Sequence, residues 1–312
     1  MKSNPEKINT KERVMNWERF REDLSLFSKT ESLSGNEGQI RTVIENKLQE
    51  LDIETSTDEK GNLWVRSAGE QGRFLLCVHM DKIGKGSPVR SEGDKLVGRL
   101  DDALGINMIL NLFKEGYKPS ALFTVEEESQ QEVVDSDGSI RLVNRKLPKN
   151  IYNAGARYAA DKMIDGDTEK PKVVIVIDTT KLGRVGNGPL IYTSGSPTEK
   201  GAFRFPSGTV KDMVKILREK NIEAHFIDGR ANDAIEFSFV KDLGVLAIEI
   251  PINNYHSLQE ETAISDIEMA NRILKAILEN PDKFQSVNEI PLHAQRIYED
   301  VKRSPIELPS SS

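Results

Sequence analysis

The sequence predicts an α/β fold of three layers, an αβα sandwich with helices on both faces of a mostly parallel central sheet. Three observations carry that expectation. Short, nearly continuous apolar runs recur at 74–78, 121–125, 173–177 and 245–250. Together they are rich in Val, Ile and Leu, the composition of strands buried on both faces. Between them lie longer segments with apolar residues at helical spacing, and strands that alternate with helices build parallel sheets.

In chain order, the first element is an amphipathic helix over 10–27, in which Val14, Trp17, Phe20, Leu24 and Phe27 share one face. Ser34-Gly35-Asn36 breaks the chain. A second helix over 37–51 then turns Ile40, Val43, Ile44, Leu48 and Leu51 inward. Asp58-Glu59-Lys60-Gly61-Asn62 has the composition of a turn and leads into a short strand at 63–65. The four apolar strands follow. Helices are expected over 103–115, 154–163, 209–220, 233–241 and 262–279, with a further strand over 223–227. Residues 301–312 hold two prolines and a run of serines and read as a frayed tail. No internal repeat or low-complexity linker divides the chain, so residues 1–300 are expected to form a single domain.

Composition narrows the function classes. The 312 residues are 37% hydrophobic and 30% charged, which is globular rather than membrane-embedded or disordered. Lys and Arg number 43 against 50 Asp and Glu, a formal charge of −7, so there is no electrostatic footprint for nucleic acid or an anionic membrane. No apolar run approaches the roughly 20 residues that cross a bilayer. The single cysteine, Cys77, lies inside an apolar run and reads as a buried, inert thiol. With no disulfide to form and no signal-peptide pattern at residues 2–7, a cytoplasmic setting is expected.

The informative polar residues stand at the ends of the apolar runs. His79 ends the first, Glu126-Glu127-Glu128 ends the second, Asp178 ends the third, and His256 follows the fourth. Ligands of open α/β sheets bind beyond the carboxyl ends of the strands, where the loops converge. Each residue alone has an ordinary explanation. His79 could be a hydrogen-bonded structural histidine, Asp101-Asp102 a helix cap, and the glutamates a solvated run. Jointly they deliver metal-ligand types to one edge from separate strands. Asp81, two residues after His79, fits the carboxylate that often orients a metal-bound imidazole. Histidine with carboxylates and no thiolate suits zinc, cobalt or manganese in a partly open catalytic site. Two histidines and three carboxylates exceed what one four-coordinate ion with an open position needs. Two divalent ions about 3.5–4 Å apart, sharing a bridging carboxylate, would use them all.

At these residues the sequence resembles the co-catalytic zinc exopeptidases, most closely the glutamyl-aminopeptidase-like (TET) aminopeptidases. The stretches that carry the likeness are His79-Met80-Asp81-Lys82-Ile83-Gly84, Leu100-Asp101-Asp102-Ala103, Phe123-Thr124-Val125-Glu126-Glu127-Glu128, Asp178, Gly186-Asn187-Gly188-Pro189, Asn232-Asp233-Ala234 and Tyr255-His256-Ser257. Ser34-Gly35-Asn36-Glu37 and Asp58 with Gly61-Asn62-Leu63 are also typical of the group. The resemblance implies the zinc-exopeptidase (phosphorylase/hydrolase-like) fold and a metal-dependent aminopeptidase acting on peptides. It implies that His79 and Asp178 hold one metal, that Glu128 and His256 hold the other, and that Asp101 bridges them. Asp81 would orient His79, and Glu127 would be the catalytic base. Three consecutive glutamates leave Glu126 open as the alternative base. A deacylase or dipeptidase on the same fold, or a binding protein that has lost catalysis, also remains open, as does homo-oligomerisation.

Two departures from the family stand out. Asp101 stands only 22 positions after His79, too few for the inserted assembly domain of TET enzymes, and His256 stands 78 positions after Asp178, too few for a lid domain. Conversely, residues 129–153 intervene between Glu128 and the helix that begins near Gly155. This insert is expected either to overhang the site, shaping substrate choice or a subunit contact, or to be a tolerated surface loop. His225, His293 and Arg184 are given no role, and Asp233 is expected to support the site rather than bind metal.

Overall fold

The computed structural model describes residues 15–128, 130–134, 140–144, 153–198, 201–204, 207–228 and 232–284. The expected tail at 301–312, residues 10–14 and His293 lie outside them.

The chain opens with helices α1 (Trp17–Lys29) and α2 (Gly38–Gln49). The Asn16 side chain accepts the N–H of Arg19 and caps α1. Strands β1 (Ser56–Thr57), β2 (Leu63–Val65) and β3 (Phe74–His79) follow, then β4 (Arg90–Glu92) and β5 (Lys95–Gly98). Helix α3 (Ala103–Lys114) leads to β6 (Ser120–Thr124) and to the hairpin β7 (Gln130–Val134) and β8 (Ile140–Asn144). Next come α4 (Ala154–Asp165), β9 (Val173–Thr180), β10 (Leu190–Thr198) and β11 (Gly201–Arg204). The remaining elements are α5 (Ser207–Glu219), β12 (His225–Asp228), α6 (Ala234–Phe237), β13 (Gly244–Pro251), β14 (Glu260–Ala263) and α7 (Ile264–Leu278).

Among the described residues nine strands join in one sheet, ordered β1-β2-β6-β3-β9-β13-β10-β11 with β12 also on β10. Its centre, β6-β3-β9-β13, is parallel, while β2 and β10 pair antiparallel at the margins of that centre. The four apolar runs of the sequence are these four central strands. Side chains alternate between two cores. Phe74, Leu76, Val78, Val173, Ile175 and Ile177 join the core beneath α1, α2, α3, α5 and α7, whereas Leu75, Cys77, Val174 and Val176 pack with α4 and α6. Burial on both faces is why these runs lack polar alternation. Helix α3 is buried along nearly its whole length, which explains its apolar composition on all sides.

Three elements differ from expectation. Helix α1, expected from residue 10, begins at Trp17, because Asn16 has extended backbone and its side chain caps the helix. The helix over 233–241 is only α6, four residues long. The Ser238 hydroxyl donates to the Ile235 carbonyl, and the chain continues in three-residue turns, Phe239 to Glu236 and Val240 to Phe237. The helix expected from 262 starts at Ile264, because Thr262 belongs to β14 and pairs with Leu96 of β5. That small sheet, β14-β5-β4, and the hairpin β7–β8 are additions the apolar pattern did not announce. Among the described residues no helix is long and apolar enough to cross a membrane.

The strand order decides where a site can form. From β3 the chain moves to β6 on one side, then crosses to β9 on the other. Strand order reverses around β3, so the carboxyl ends of β3 and β9 flank the switch point where such sheets bind ligands.

Candidate active site

His79 is the last residue of β3, and Asp178 lies near the end of its neighbour β9. Both stand two residues beyond the paired positions Cys77 and Val176, so they emerge on the same face. His79 Nε2 is 3.5 Å from Asp178 Oδ1 and 3.3 Å from Asp101 Oδ1. Asp101 precedes α3, joined by a cis peptide to Asp102, whose Oδ1 caps the helix by accepting the N–H of Gly105 at 2.9 Å. The other oxygen of Asp101 is 3.4 Å from His256 Nε2, which in turn is 3.2 Å from Glu128 Oε1. His79, Asp101, Glu128, Asp178 and His256 therefore meet, with Asp101 between the two imidazoles. His79 and Asp101 are each 3% exposed, whereas His256 is 28% exposed at the rim, with the Tyr255 ring stacked on it at 3.7 Å.

The three glutamates separate. Glu126 adopts a left-handed backbone (φ 56°) and its carboxylate pairs with Lys60 at 3.0 Å. Glu127 and Glu128 are held differently, because both backbone N–H groups are taken by one side chain. Asp81 Oδ1 accepts from Glu127 at 3.0 Å and Oδ2 from Glu128 at 2.9 Å, while Ser34 also donates to Oδ2. His79 Nδ1 meets the main-chain carbonyl of Asp81 at 2.9 Å, closer than its carboxylate at 3.5 Å. Asp81 thus faces His79 chiefly through its backbone, and its carboxylate holds the glutamate loop, a division that the His-x-Asp spacing does not reveal.

The upstream motifs act on the same loop. Asp58 Oδ1 accepts the N–H groups of Lys60, Gly61 and Asn62, each at 3.0 Å, forming the expected turn. Asn62 accepts from Val125 N at 3.1 Å and donates to the Gly155 carbonyl at 3.0 Å. The approach is close: a Cβ at Gly155 would lie 2.4 Å from Asn62 Oδ1 and 2.5 Å from the Val125 carbonyl, so only glycine fits. Backbone bonds from Asn153, Ala154 and Gly155 to Glu127, Glu126 and Val125 close the root of the 129–153 insert beside Glu128. Gly186 and Gly188 donate to Asp266 at 2.7 Å each, which fixes the Gly186-Asn187-Gly188 turn. Asp233 accepts from Thr124, and the Cys77 thiol lies 3.8 Å away, buried and with its pKa raised by desolvation.

Several acids of this buried cleft resist ionisation, whereas Asp101 does not: burial opposes its charge, yet His256 and His79 hold its carboxyl well below the usual carboxylate range. Burial, with repulsion from Glu128 next, raises the Glu127 pKa well above the carboxylate range. Burial also raises Glu128 to about 7 and pushes Asp178 up. Burial opposes the charge on both histidines, yet surrounding carboxylates raise His79 well above its ordinary value and His256 to about 9. Both oxygens of Asp101, Asp102 Oδ2 and His256 Nε2 are buried without a hydrogen-bond partner. Donor atoms of His79, Asp101 and Glu128, and of His79, Asp102 and Asp178, lie within 4.8 Å of one another. Converging acids, unsatisfied oxygens and imidazole nitrogens are the chemistry of a divalent-cation site, so these residues fit metal binding.

Comparison with solved structures gives this arrangement a context. The aminopeptidase APDkam598 from the archaeon Desulfurococcus kamchatkensis superposes with a TM-score of 0.68 at 15% identity, over 88% of this chain and 99% of that one. A TET aminopeptidase from a marine-sediment Thaumarchaeota archaeon gives 0.65 at 14% identity, over 86% and 100%. The Pyrococcus horikoshii TET1 peptidase gives 0.63 at 17% identity, over 83% and 99%. The chain has the fold of these aminopeptidases. No protein-family profile and no curated sequence matches it. At such low identity the likeness lies in the backbone, and the site must be argued from its own residues.

Three polar residues at this site escape a reading of motifs. Asp102 reads as a cap and is one, yet a carboxylate oxygen of it lies within 4.8 Å of donor atoms of His79 and Asp178, and its Oδ2 is buried without a partner. Glu249 is paired in register with Asp178, and Asn232 donates to it at 2.7 Å. Glu260, in a polar stretch of sequence, is fully buried.

Proposed function

We propose that this protein is a metal-dependent aminopeptidase that removes N-terminal residues from peptides. The observation that carries the proposal is the position of Asp101, with one oxygen 3.3 Å from His79 and the other 3.4 Å from His256. A carboxylate between two imidazoles, each flanked by another acid, suits two divalent ions that share a bridging group. On this proposal His79 and Asp178 would hold one ion, Glu128 and His256 would hold the other, and Asp101 would be shared between them. Zinc, cobalt and manganese match these donors.

When bound, the ions supply Lewis acidity and lower the pKa of water. Glu127 takes the proton of the attacking water and returns it to the leaving amine. Asp81 holds Glu127 and Glu128 in place through their backbone. The substrate's free N-terminal amine would sit beside one ion or a nearby carboxylate, which would restrict attack to the terminal bond. Residues 1–300 act as one catalytic domain, and the single buried thiol of Cys77 is at home in a cytoplasmic setting. The Pyrococcus horikoshii TET1 peptidase is described as assembling into a tetrahedron or a large octahedral shell, so self-association of this chain belongs to the proposal.

Metal stoichiometry tests the donor set. Protein stripped by chelator and dialysed against zinc should hold two ions per chain, and His256→Ala should bind fewer. Full retention by that variant would remove His256 from the site.

A further inference from the structure

Beyond the residues already assigned, one buried side chain ties two of them together through their backbones. Glu260 is 0% exposed and opens β14 opposite Gly98 of β5. Its Oε2 accepts the N–H of Leu100 at 2.6 Å and of Asp101 at 3.0 Å. Its Oε1 accepts the N–H of His256 at 2.9 Å. One carboxylate thus grips the backbones of two residues, 101 and 256, whose side chains approach within 3.4 Å. Arg99 completes the clasp, with Nη1 3.5 Å from Glu260 Oε1 and donating to the Ser257 carbonyl at 3.0 Å. The guanidinium is buried too and offsets the acid's charge.

We propose that Glu260 is a positioning residue that fixes the separation of Asp101 and His256 and so sets the divalent-ion affinity of the site. This rests on the proposal that those two residues hold metal. The chemistry requires a carboxylate. Three N–H donors converge on two oxygens, and hydrogen bonds from backbone N–H to an anion are short and directional. A glutamine has one acceptor oxygen, so its amide group would meet either the Leu100–Asp101 donors or His256 with a donor of its own. An aspartate keeps the charge but is one methylene too short to span both segments. His256 also holds a left-handed backbone (φ 63°), a conformation that needs external support.

The test measures zinc affinity by chelator competition for wild type, Glu260→Gln, Glu260→Asp and the control Glu261→Gln, with the unfolding midpoint of each metal-free protein. Glu261 pairs with Lys95 outside this clasp. Weakening by about 10–100-fold in both Glu260 variants, with Glu261→Gln unchanged, is expected, the range seen when outer partners of metal ligands are lost. A lowered midpoint with zinc affinity within twofold of wild type would mean a purely structural role and would overturn the proposal. Should the variants not fold, hydrogen exchange on metal-free wild type decides. The Asp101 and His256 amides exchange slowly if Glu260 holds them, and exchange at the rate of open amides refutes the clasp. Wild type that binds no zinc overturns the metal reading itself, and this inference falls with it.

Discussion

The carboxylate of Asp81 accepts the backbone N–H of Glu127 at 3.0 Å, so the residue proposed as the base is held by an acid two positions beyond His79. The other Asp81 oxygen takes the next amide, of Glu128. Asn at this position accepts one of the two amides and meets the other with a donor. A buried, unsatisfied donor costs about 1–3 kcal/mol. Asp81→Asn should therefore lose about that much stability in denaturant unfolding, and its kcat should fall by about tenfold or more. Wild-type kcat in this variant would contradict the role given to Asp81.

Glu126, Glu127 and Glu128 are chemically alike and are separated by what their backbones meet. The Glu126 carboxylate pairs with Lys60, the backbone N–H groups of the other two are held by Asp81, and Glu128 reaches His256. Glu127→Gln should lower kcat by about 10²–10⁴-fold while metal content stays at the wild-type level. Glu126→Gln should keep kcat within the wild-type order of magnitude and lose stability instead. The reverse outcome would shift the base by one residue.

Glu37 predicts a pH dependence. Its Oε1 accepts from Gly35 at 2.7 Å and from Glu126 at 3.1 Å, and burial, with Asp81 next, raises its pKa from 4.5 to about 8. Between those values the folded chain holds a proton that the unfolded chain has released, so stability falls as pH rises from 4.5 to about 8. Glutamine keeps the accepting oxygen without the titration. Glu37→Gln should match wild type near pH 4.5 and exceed it at pH 8 by about 1 kcal/mol or more. Parallel stability curves for the two proteins would show that Glu37 is ionised throughout.

The four central strands were legible because burial on both faces leaves an unbroken apolar run, and nothing else in the chain looks like one. The ends of those runs named the cluster for the same reason: an acid or histidine after Val-Ile-Val-Ile has no water to face. The short α6 was hidden in the Ser238 side chain, which competes with the helix only once the Ile235 carbonyl is within reach. Glu260 was hidden more deeply. Its partners are backbone amides of residues 100, 101 and 256, and backbone N–H groups are the same in every sequence. The split between Glu126 and Glu127 likewise depends on Lys60 and Asp81, which the fold brings to either side of one short loop.

The most direct test of the account is hydrolysis of short peptides with free and with acetylated N-termini, by protein stripped of metal and then given zinc, cobalt or manganese. The account predicts release of the terminal residue from free-amine peptides only, no activity in the stripped protein, and recovery on adding metal. Cleavage confined to acetylated substrates, or undiminished cleavage without metal, would contradict it.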